Sequence, residues 1–194
     1  MLKNIKKCLL ESADLKKQVA EEFAELIEQA INLICESLRN NNKVLLMGNG
    51  GSAADAQHIA GELIGRFKLE RSSIPAIALT TDTSIITAVG NDYGFDQIFA
   101  RQIGSLGCEG DIVVAISTSG NSKNIIEALK ASKKNKMKSI GLLGCGGGQI
   151  KQLVDIPIVV PSSNTPRIQE AHITIGHVIC EEIEKELFKN KLDA

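Results

Sequence analysis

Apolar residues recur at helical spacing along the first forty residues of the chain. From Leu2 to Asn41 there is no glycine or proline, and an apolar stripe runs through Val19, Phe23, Leu26, Ala30, Ile34 and Leu38. This pattern predicts one long amphipathic helix, or two in line, that ends at the asparagines 40–42. Because the helix is long for its domain, we expect the stripe to pack against another subunit; packing on its own domain is the alternative.

Continuous apolar runs then alternate with helical patterns. The runs predict strands at residues 43–48, 76–79, 111–117, 139–144 and 156–161. Helices are predicted at residues 52–67, from Thr83, at 95–106, 122–135 and 165–189. Continuous apolar strands separated by helices indicate a parallel sheet covered on both faces. We therefore predict an α/β fold, a three-layer α/β/α sandwich that binds its ligand at the carboxyl ends of the strands. One domain over residues 1–194 would comprise an N-terminal helical region, 1–42, and an α/β core, 43–194.

Composition narrows the kind of ligand. The 194 residues are 43% hydrophobic and 23% charged with a net charge of -1, so the basic surface that attracts nucleic acid or a membrane surface is missing. No stretch approaches the roughly 20 apolar residues of a membrane span, and the charged N-terminus does not resemble a signal peptide. The five cysteines are scattered without a CxxC pair, which argues against disulfides and thiolate zinc sites. We expect a cytoplasmic protein with a small-molecule ligand.

A glycine-rich segment, Gly48-Asn49-Gly50-Gly51-Ser52, lies between the first strand and the next helix. Free backbone N–H groups and the helix dipole at such a position form a site for an anion or a polyol. The segment also satisfies the GxGxxA dinucleotide fingerprint. That fingerprint expects an acidic residue at the end of the second strand, and Glu70 precedes the strand. A purely structural turn is the remaining alternative.

A second loop, Ser117-Thr118-Ser119-Gly120-Asn121-Ser122, again joins a strand to a helix. It places four hydroxyl side chains beside a helix N-terminus, an arrangement that can hold a phosphate without lysine or arginine. Ser119 or Asn121 could instead simply cap the helix. Capping would explain one hydroxyl and not four, so the loop favours phosphate binding.

Four further residues have the chemistry of metal ligands. His58 and Glu62 are four residues apart on one helix and share a face. Gln169 and His177, eight apart on the last helix, lie close enough to converge on one point. Two histidines, a carboxylate and an amide oxygen suit a divalent ion such as zinc. A hydrogen-bonded pair of His58 and Glu62 is the alternative, and we expect His172 to be a packing residue.

Asn91 and Asp92 follow a helical pattern and precede a glycine turn. Short polar side chains at such a place can reach the hydroxyl groups of a ligand. A turn with an Asx cap is an equally good interpretation of these two residues.

Four motifs together resemble the phosphoheptose isomerase (sedoheptulose-7-phosphate isomerase) family of SIS domains. They are GNGGSAADAQHIAGEL at 48–63, GND at 90–92, STSGNS at 117–122 and RIQEAHITIGH at 167–177. The resemblance implies a flavodoxin-like SIS fold, a homotetramer with sites built from neighbouring subunits, and one zinc ion per subunit. The implied zinc ligands are His58, Glu62, Gln169 and His177. Glu62 and His177 would also be the catalytic proton-transfer pair. The residues implied to bind the sugar phosphate are Asn49, Gly50, Gly51, Ser52, Glu62, Asn91, Asp92, Ser117, Thr118, Ser119, Ser122 and Gln169.

The family reaction is an aldose–ketose isomerisation. The resemblance implies conversion of D-sedoheptulose 7-phosphate to D-glycero-D-manno-heptose 7-phosphate through a cis-enediol, the first step towards a nucleotide-activated heptose for lipopolysaccharide core or capsule. Two other classes share the fold. A sugar-phosphate sensor would usually carry a DNA-binding domain, for which we expect no room here. A replication-initiation partner should lack the set His58, Glu62 and His177. Among enzymes, a pentose or hexose phosphate isomerase is the nearest alternative.

Overall fold

A computed structural model describes residues 1–189 of the chain. The N-terminal region is a single continuous helix, α1 (Leu2–Arg39). Val19, Ala30 and Ile34 of the predicted stripe are buried, and its other three members pack against the same apolar cluster. This face of α1 lies on the last helix and the last strand of its own chain, so these six residues follow the alternative, packing on their own domain. The packing of α1 against another subunit stays a prediction.

Five parallel strands form one sheet. They are β1 (Val44–Gly48), β2 (Ala76–Ala78), β3 (Ile112–Ser117), β4 (Lys138–Leu143) and β5 (Ile156–Val159), in the order β2-β1-β3-β4-β5. Every residue of β1 and β3 is buried, as expected for central strands covered on both faces. Val44 lies opposite Ala76 on one side and Ile112 on the other.

Helices cover both faces of this sheet. The remaining helices are α2 (Gly51–Ile64), α3 (Thr83–Tyr93), α4 (Ile98–Leu106), α5 (Lys123–Lys134) and α6 (Thr165–Leu187), with short 3-10 helices at Phe95–Gln97, Cys145–Gly147 and Ile150–Gln152. Val44 and Leu46 belong to an apolar cluster with α1, α2 and α6. Leu45 and Met47 point the other way, into a cluster with α4 and α5. The predicted three-layer sandwich is confirmed.

The predicted bounds hold to within about two residues, except at two helix ends. The helix predicted at 95–106 begins with a 3-10 turn, Phe95–Gln97, before α4. α2 was expected to reach Phe67, but it ends at Ile64 and Gly65 is its C-terminal cap. The Arg71 side chain caps the helix: it donates hydrogen bonds to Glu62 O at 2.8 Å and to Leu63 O at 2.9 Å. Within residues 1–189 no helix is both long enough and apolar enough to cross a membrane.

Candidate active site

The two predicted ligand loops lie side by side at the carboxyl edge of the sheet. Gly48 at the end of β1 pairs in register with Ile116 of β3, so the loops that follow these strands are neighbours. Asn49 and Asn124 join them through two amide hydrogen bonds: Asn49 Nδ2 donates to Asn124 Oδ1 at 2.9 Å, and Asn124 Nδ2 donates to Asn49 Oδ1 at 2.8 Å. Asn124, 2% exposed, was missed by sequence reasoning, because no spacing rule links it to Asn49.

The hydroxyl-rich loop has the form of an anion site. Ser117 Oγ and Ser122 Oγ are 3.1 Å apart, and the backbone N–H of Gly120 donates to Ser117 Oγ at 3.1 Å. Ser122 is the N-cap residue of α5, yet its side chain makes no capping hydrogen bond. The Ser122 hydroxyl therefore does not cap the helix. One of the two hydroxyl hydrogens lies in the contact between Ser117 and Ser122, and the other can be donated to a bound anion.

A glycine-rich turn, residues 144–148, packs against this loop. Gly120 has φ of +64°, and a Cβ placed there would lie 2.7 Å from Gly148 N and closer still to the Gly147 carbonyl. The loop is also tied to the turn by Ile150 N–H, which donates to Gly120 O at 2.9 Å. Only glycine fits at position 120, because both the backbone conformation and the space exclude a side chain.

Three of the four predicted metal ligands meet in one cluster. His58 Nε2 lies 2.9 Å from His177 Nε2 and 3.2 Å from Glu62 Oε1. One ligand atom from each of these residues lies within 4.8 Å of the others. The His58 side chain is 48% exposed and that of Glu62 is 24% exposed, so a ligand in solution can reach the cluster. We name His58, Glu62 and His177 the trio.

The trio exists because α2 and α6 pack closely. A Cβ on Gly176 would lie 2.6 Å from Ile59 Cδ1, so glycine at this position allows the two helices to approach. His58 directly precedes Ile59 on α2, and His177 directly follows Gly176 on α6, so this contact brings the two histidines together. The ring of Phe67 lies 5.4 Å from the ring of His177, centroid to centroid, and gives the cluster an apolar side.

The geometry of the trio fits a bound divalent ion. Two ligand atoms at about 2.05 Å from one zinc ion are about 2.9 Å apart at a right angle and about 3.3 Å apart at the tetrahedral angle. The distances of 2.9 Å and 3.2 Å from His58 Nε2 fall within that range. Two imidazole nitrogens that face each other also need a proton or a cation between them, because their lone pairs repel.

The fourth predicted ligand, Gln169, lies beside the first loop. Its amide packs on Gly51, where a Cβ would come within 2.9 Å of Gln169 Cδ. Gly51 precedes His58 by seven residues, about 10 Å along α2. The structure therefore brings Gln169 to the glycine-rich segment, next to the buried Ser52.

Asn91 and Asp92 occupy a different place from the one predicted. They belong to the last turn of α3 and do not follow it, since the helix continues to Tyr93 before Gly94 takes φ of +87°. Both are exposed, and Asn91 Nδ2 donates to Asp92 Oδ1 at 2.8 Å. Within residues 1–189 no hydrogen bond links either side chain to the other candidate residues.

The third histidine, His172, is a core residue. It is fully buried, and its Nε2–H donates to Leu143 O at 3.0 Å. Burial lowers the pKa of His172 to about 4, although the hydrogen bond to Leu143 opposes the shift. The side chain is therefore neutral at physiological pH and takes no part in proton transfer.

Asp55 is a residue near the trio that sequence reasoning did not select. It precedes His58 by three residues and so lies on the same side of α2. Burial raises the pKa of Asp55, while the neighbouring His58 lowers it. Its Oδ2 is buried and has no hydrogen-bond partner among the described residues. The spacing from His58 was the signal that could have found it.

Known proteins share both the sequence and the fold. Residues 9–144 match the SIS domain family. The phosphoheptose isomerase of Geobacter sulfurreducens is 54% identical over 188 residues, which cover 97% of this chain and 100% of that protein. The phosphoheptose isomerase of Nitratiruptor sp. is 56% identical over 185 residues, 95% of this chain and 99% of that protein. A solved phosphoheptose isomerase from Neisseria gonorrhoeae superimposes with a TM-score of 0.91 at 44% identity, covering 95% of this chain and 98% of that one.

Proposed function

Because the chain belongs to the phosphoheptose isomerase family of SIS-domain proteins, it is a sugar-phosphate isomerase of heptose biosynthesis, and we propose that it converts D-sedoheptulose 7-phosphate to D-glycero-D-manno-heptose 7-phosphate. The observation that carries this proposal is the meeting of a carboxylate and two imidazoles within 4.8 Å of one another. Such a cluster can move protons between adjacent carbons of a bound sugar.

The proposed reaction needs a base and an acid. Glu62 takes the proton from C1 of the ketose, and the C1–H electron pair forms the C1=C2 bond of a cis-enediol while the C2 oxygen gains a proton. A proton is then returned to C2, and the C1 hydroxyl loses its proton to leave the aldehyde. His177 exchanges the oxygen-bound protons or returns the proton to carbon. The atoms balance without an external oxidant or reductant.

The hydroxyl-rich loop holds the other end of the substrate. Ser117, Thr118, Ser119 and Ser122 would donate hydrogen bonds to the phosphate, which lies at the N-terminus of α5. Asn49, Gly50, Gly51 and Ser52 would contact the sugar hydroxyls. Binding energy from the phosphate then positions C1 and C2 at the trio.

The proposal includes one zinc ion per subunit. His58, Glu62 and His177 would hold it, and Gln169 is proposed as the fourth ligand. When bound, zinc polarises carbonyl and hydroxyl oxygens and stabilises negative charge on them. Glu62 would be a weaker base while it contacts the ion, so its carboxylate has to loosen that contact to accept the carbon-bound proton.

The proposed assembly is a homotetramer whose sites combine neighbouring subunits. Its support is apolar surface at the start of α1, where Leu2, Ile5, Leu9 and Leu10 are between 50% and 68% exposed. A neighbouring subunit would then supply Asn91 and Asp92, whose side chains make no hydrogen bond to the other candidates among the described residues. The product would enter lipopolysaccharide core or capsule synthesis. The cytoplasmic location and the lack of a nucleic-acid partner stay predictions.

The test is turnover by metal-replete protein with Glu62→Gln beside it. Sedoheptulose 7-phosphate is incubated with each protein, and the aldoheptose phosphate is followed by NMR. Glu62→Gln keeps the shape of the side chain and removes the base, so we expect turnover to fall by at least about 1000-fold. Glu109→Gln is the matched control, because Glu109 is 69% exposed and pairs with Lys136 away from the trio.

Other outcomes would select the rival functions. Binding of the sugar phosphate by wild-type protein without any turnover would favour a sensor or a replication partner. Faster turnover of a pentose or hexose phosphate would assign a different substrate to the same chemistry. Equal activity of Glu62→Gln and Glu109→Gln would remove Glu62 from the mechanism.

A further inference from the structure

A buried ion pair lies behind the trio. The side chains of Arg71 and Glu184 are 0% and 1% exposed, and Arg71 Nε lies 2.8 Å from Glu184 Oε1. Taking two such charges out of water carries a large desolvation penalty, and apolar residues of similar volume are often as stable or more so. The other contacts of the pair should therefore explain why it is present.

Glu184, on α6, organises the loop that follows α2. Its carboxylate accepts hydrogen bonds from three consecutive backbone N–H groups, those of Phe67 at 2.8 Å, Lys68 at 2.8 Å and Leu69 at 2.9 Å. With Arg71 as the fourth donor, both carboxylate oxygens are fully occupied. The loop is thereby fixed to α6 through its backbone.

Arg71 completes the link by capping α2. Its guanidinium donates to the carbonyls of Glu62 at 2.8 Å, Leu63 at 2.9 Å and Gly65 at 3.3 Å. These carbonyls belong to the end of the helix, which lacks intrahelical donors and attracts a positive charge. The cation thus fixes the backbone of Glu62 itself.

Arg71 and Glu184 are each connected to members of the trio. Glu184 follows His177 by seven residues, two turns of α6, so the two side chains lie on nearly the same face. The Phe67 backbone is bound to Glu184, and the Phe67 ring lies 5.4 Å from the His177 ring. The ion pair therefore connects the helix that carries His58 and Glu62 with the helix that carries His177.

We propose that Arg71 and Glu184 are positioning residues, which set the separation of α2 and α6 and so hold His58, Glu62 and His177 at metal-binding distance. This role rests on the proposed function of the trio. Both side chains are buried, so a substrate bound from solution would not contact them. Their effect passes through the backbone of Glu62 and the ring of Phe67.

The test compares Glu184→Gln with Asp111→Asn. Asp111 is also a 1% exposed carboxylate that pairs with a lysine, Lys43, and accepts two backbone N–H groups, at 2.8 Å from Cys108 and 3.0 Å from Lys43. It lies at the amino end of the sheet, just before β3, away from the trio. Both variants lose one buried charge, so both should lower Tm. Only Glu184→Gln should disturb the trio.

Zinc affinity is measured by competition with a chelator, at a temperature where each variant is folded, together with kcat and KM. We expect Glu184→Gln to weaken zinc binding and to lower kcat by about tenfold each, with KM changed by less than about twofold because the phosphate loop is elsewhere. Asp111→Asn should keep all three values. If Glu184→Gln does not fold, Arg71→Lys, which keeps the charge and loses the forked contacts, gives the same comparison.

The results separate the two hypotheses. Wild-type zinc affinity and kcat in both Glu184→Gln and Arg71→Lys would overturn the positioning role and leave the isomerase function intact. Equal losses in Asp111→Asn would also overturn it, because the effect would then follow stability alone. Wild-type protein that binds zinc but does not turn over the sugar phosphate would instead refute the proposed function.

Discussion

Replacing Gly51 by alanine should disable the site without unfolding the protein. The new Cβ would lie 2.9 Å from Gln169 Cδ and closer still to Nε2, whereas such atoms normally rest at about 3.5 Å or more. The amide of Gln169 must therefore move by about 1 Å. A displacement of that size in a positioned group can lower a rate by about 100-fold.

The thermal stability of Gly51→Ala should not fall with its activity. Gly51 is the first residue of α2 and its φ is not positive, so alanine meets no backbone strain. In a helix interior alanine is favoured over glycine by about 1 kcal/mol, and at the first position we expect less. Since the side chain that has to move is flexible, Tm should stay unchanged or rise slightly while kcat/KM falls about 100-fold.

The assay is isomerase turnover together with thermal unfolding, and Gly104→Ala is the matched control. Gly104 is an exposed residue of α4 whose added Cβ would meet no heavy atom within 4 Å, so this variant should keep full activity. Wild-type kcat/KM in a folded Gly51→Ala protein would refute the reasoning, because it would show that the position of Gln169 does not matter.

Three other changes have defined outcomes. His172→Gln should remove part of the acid sensitivity, because unfolded histidine takes up a proton near pH 6.5 and folded His172 near pH 4. The free energy of unfolding of the wild type should therefore fall by about 2 kcal/mol between pH 7 and pH 5 in urea titrations. Parallel curves of this free energy against pH for both proteins would contradict this. Gly120→Ala should cost more than about 2 kcal/mol, because its Cβ would meet the Gly147 backbone; an unchanged Tm would be inconsistent with the loop described here. Asn124→Ala should raise KM for the sugar phosphate about tenfold by freeing Asn49, and a change in kcat alone would place Asn49 at the reacting carbons instead.

Local patterns predicted the fold well. The strands could be recognised as continuous apolar runs, such as Val44–Gly48, because both faces of the sheet are buried. The helix after each strand was placed by the change from strand to helical spacing. The end of α2 was misplaced because it depends on Arg71, seven residues beyond Ile64, and on its contacts with the helix carbonyls.

The candidate site was only partly predictable. The pairing of His58 with Glu62 follows from spacing on one helix, and His177 could be suggested as a partner because α6 carries a second set of polar residues. Asn124 and the glycine turn at 144–148 act through contacts between distant segments. No periodicity along the chain encodes such contacts, so only the folded structure identifies them.

The central claim is that this chain moves a proton between C1 and C2 of a ketose phosphate. The most direct measurement is incubation of the metal-replete wild-type protein with sedoheptulose 7-phosphate in deuterium oxide, followed by NMR of the product. The account predicts an aldoheptose 7-phosphate, which carries deuterium at C2 to the extent that the proton taken from C1 exchanges with solvent before one is returned to C2. Saturating binding of the ketose with no aldose formed would contradict it.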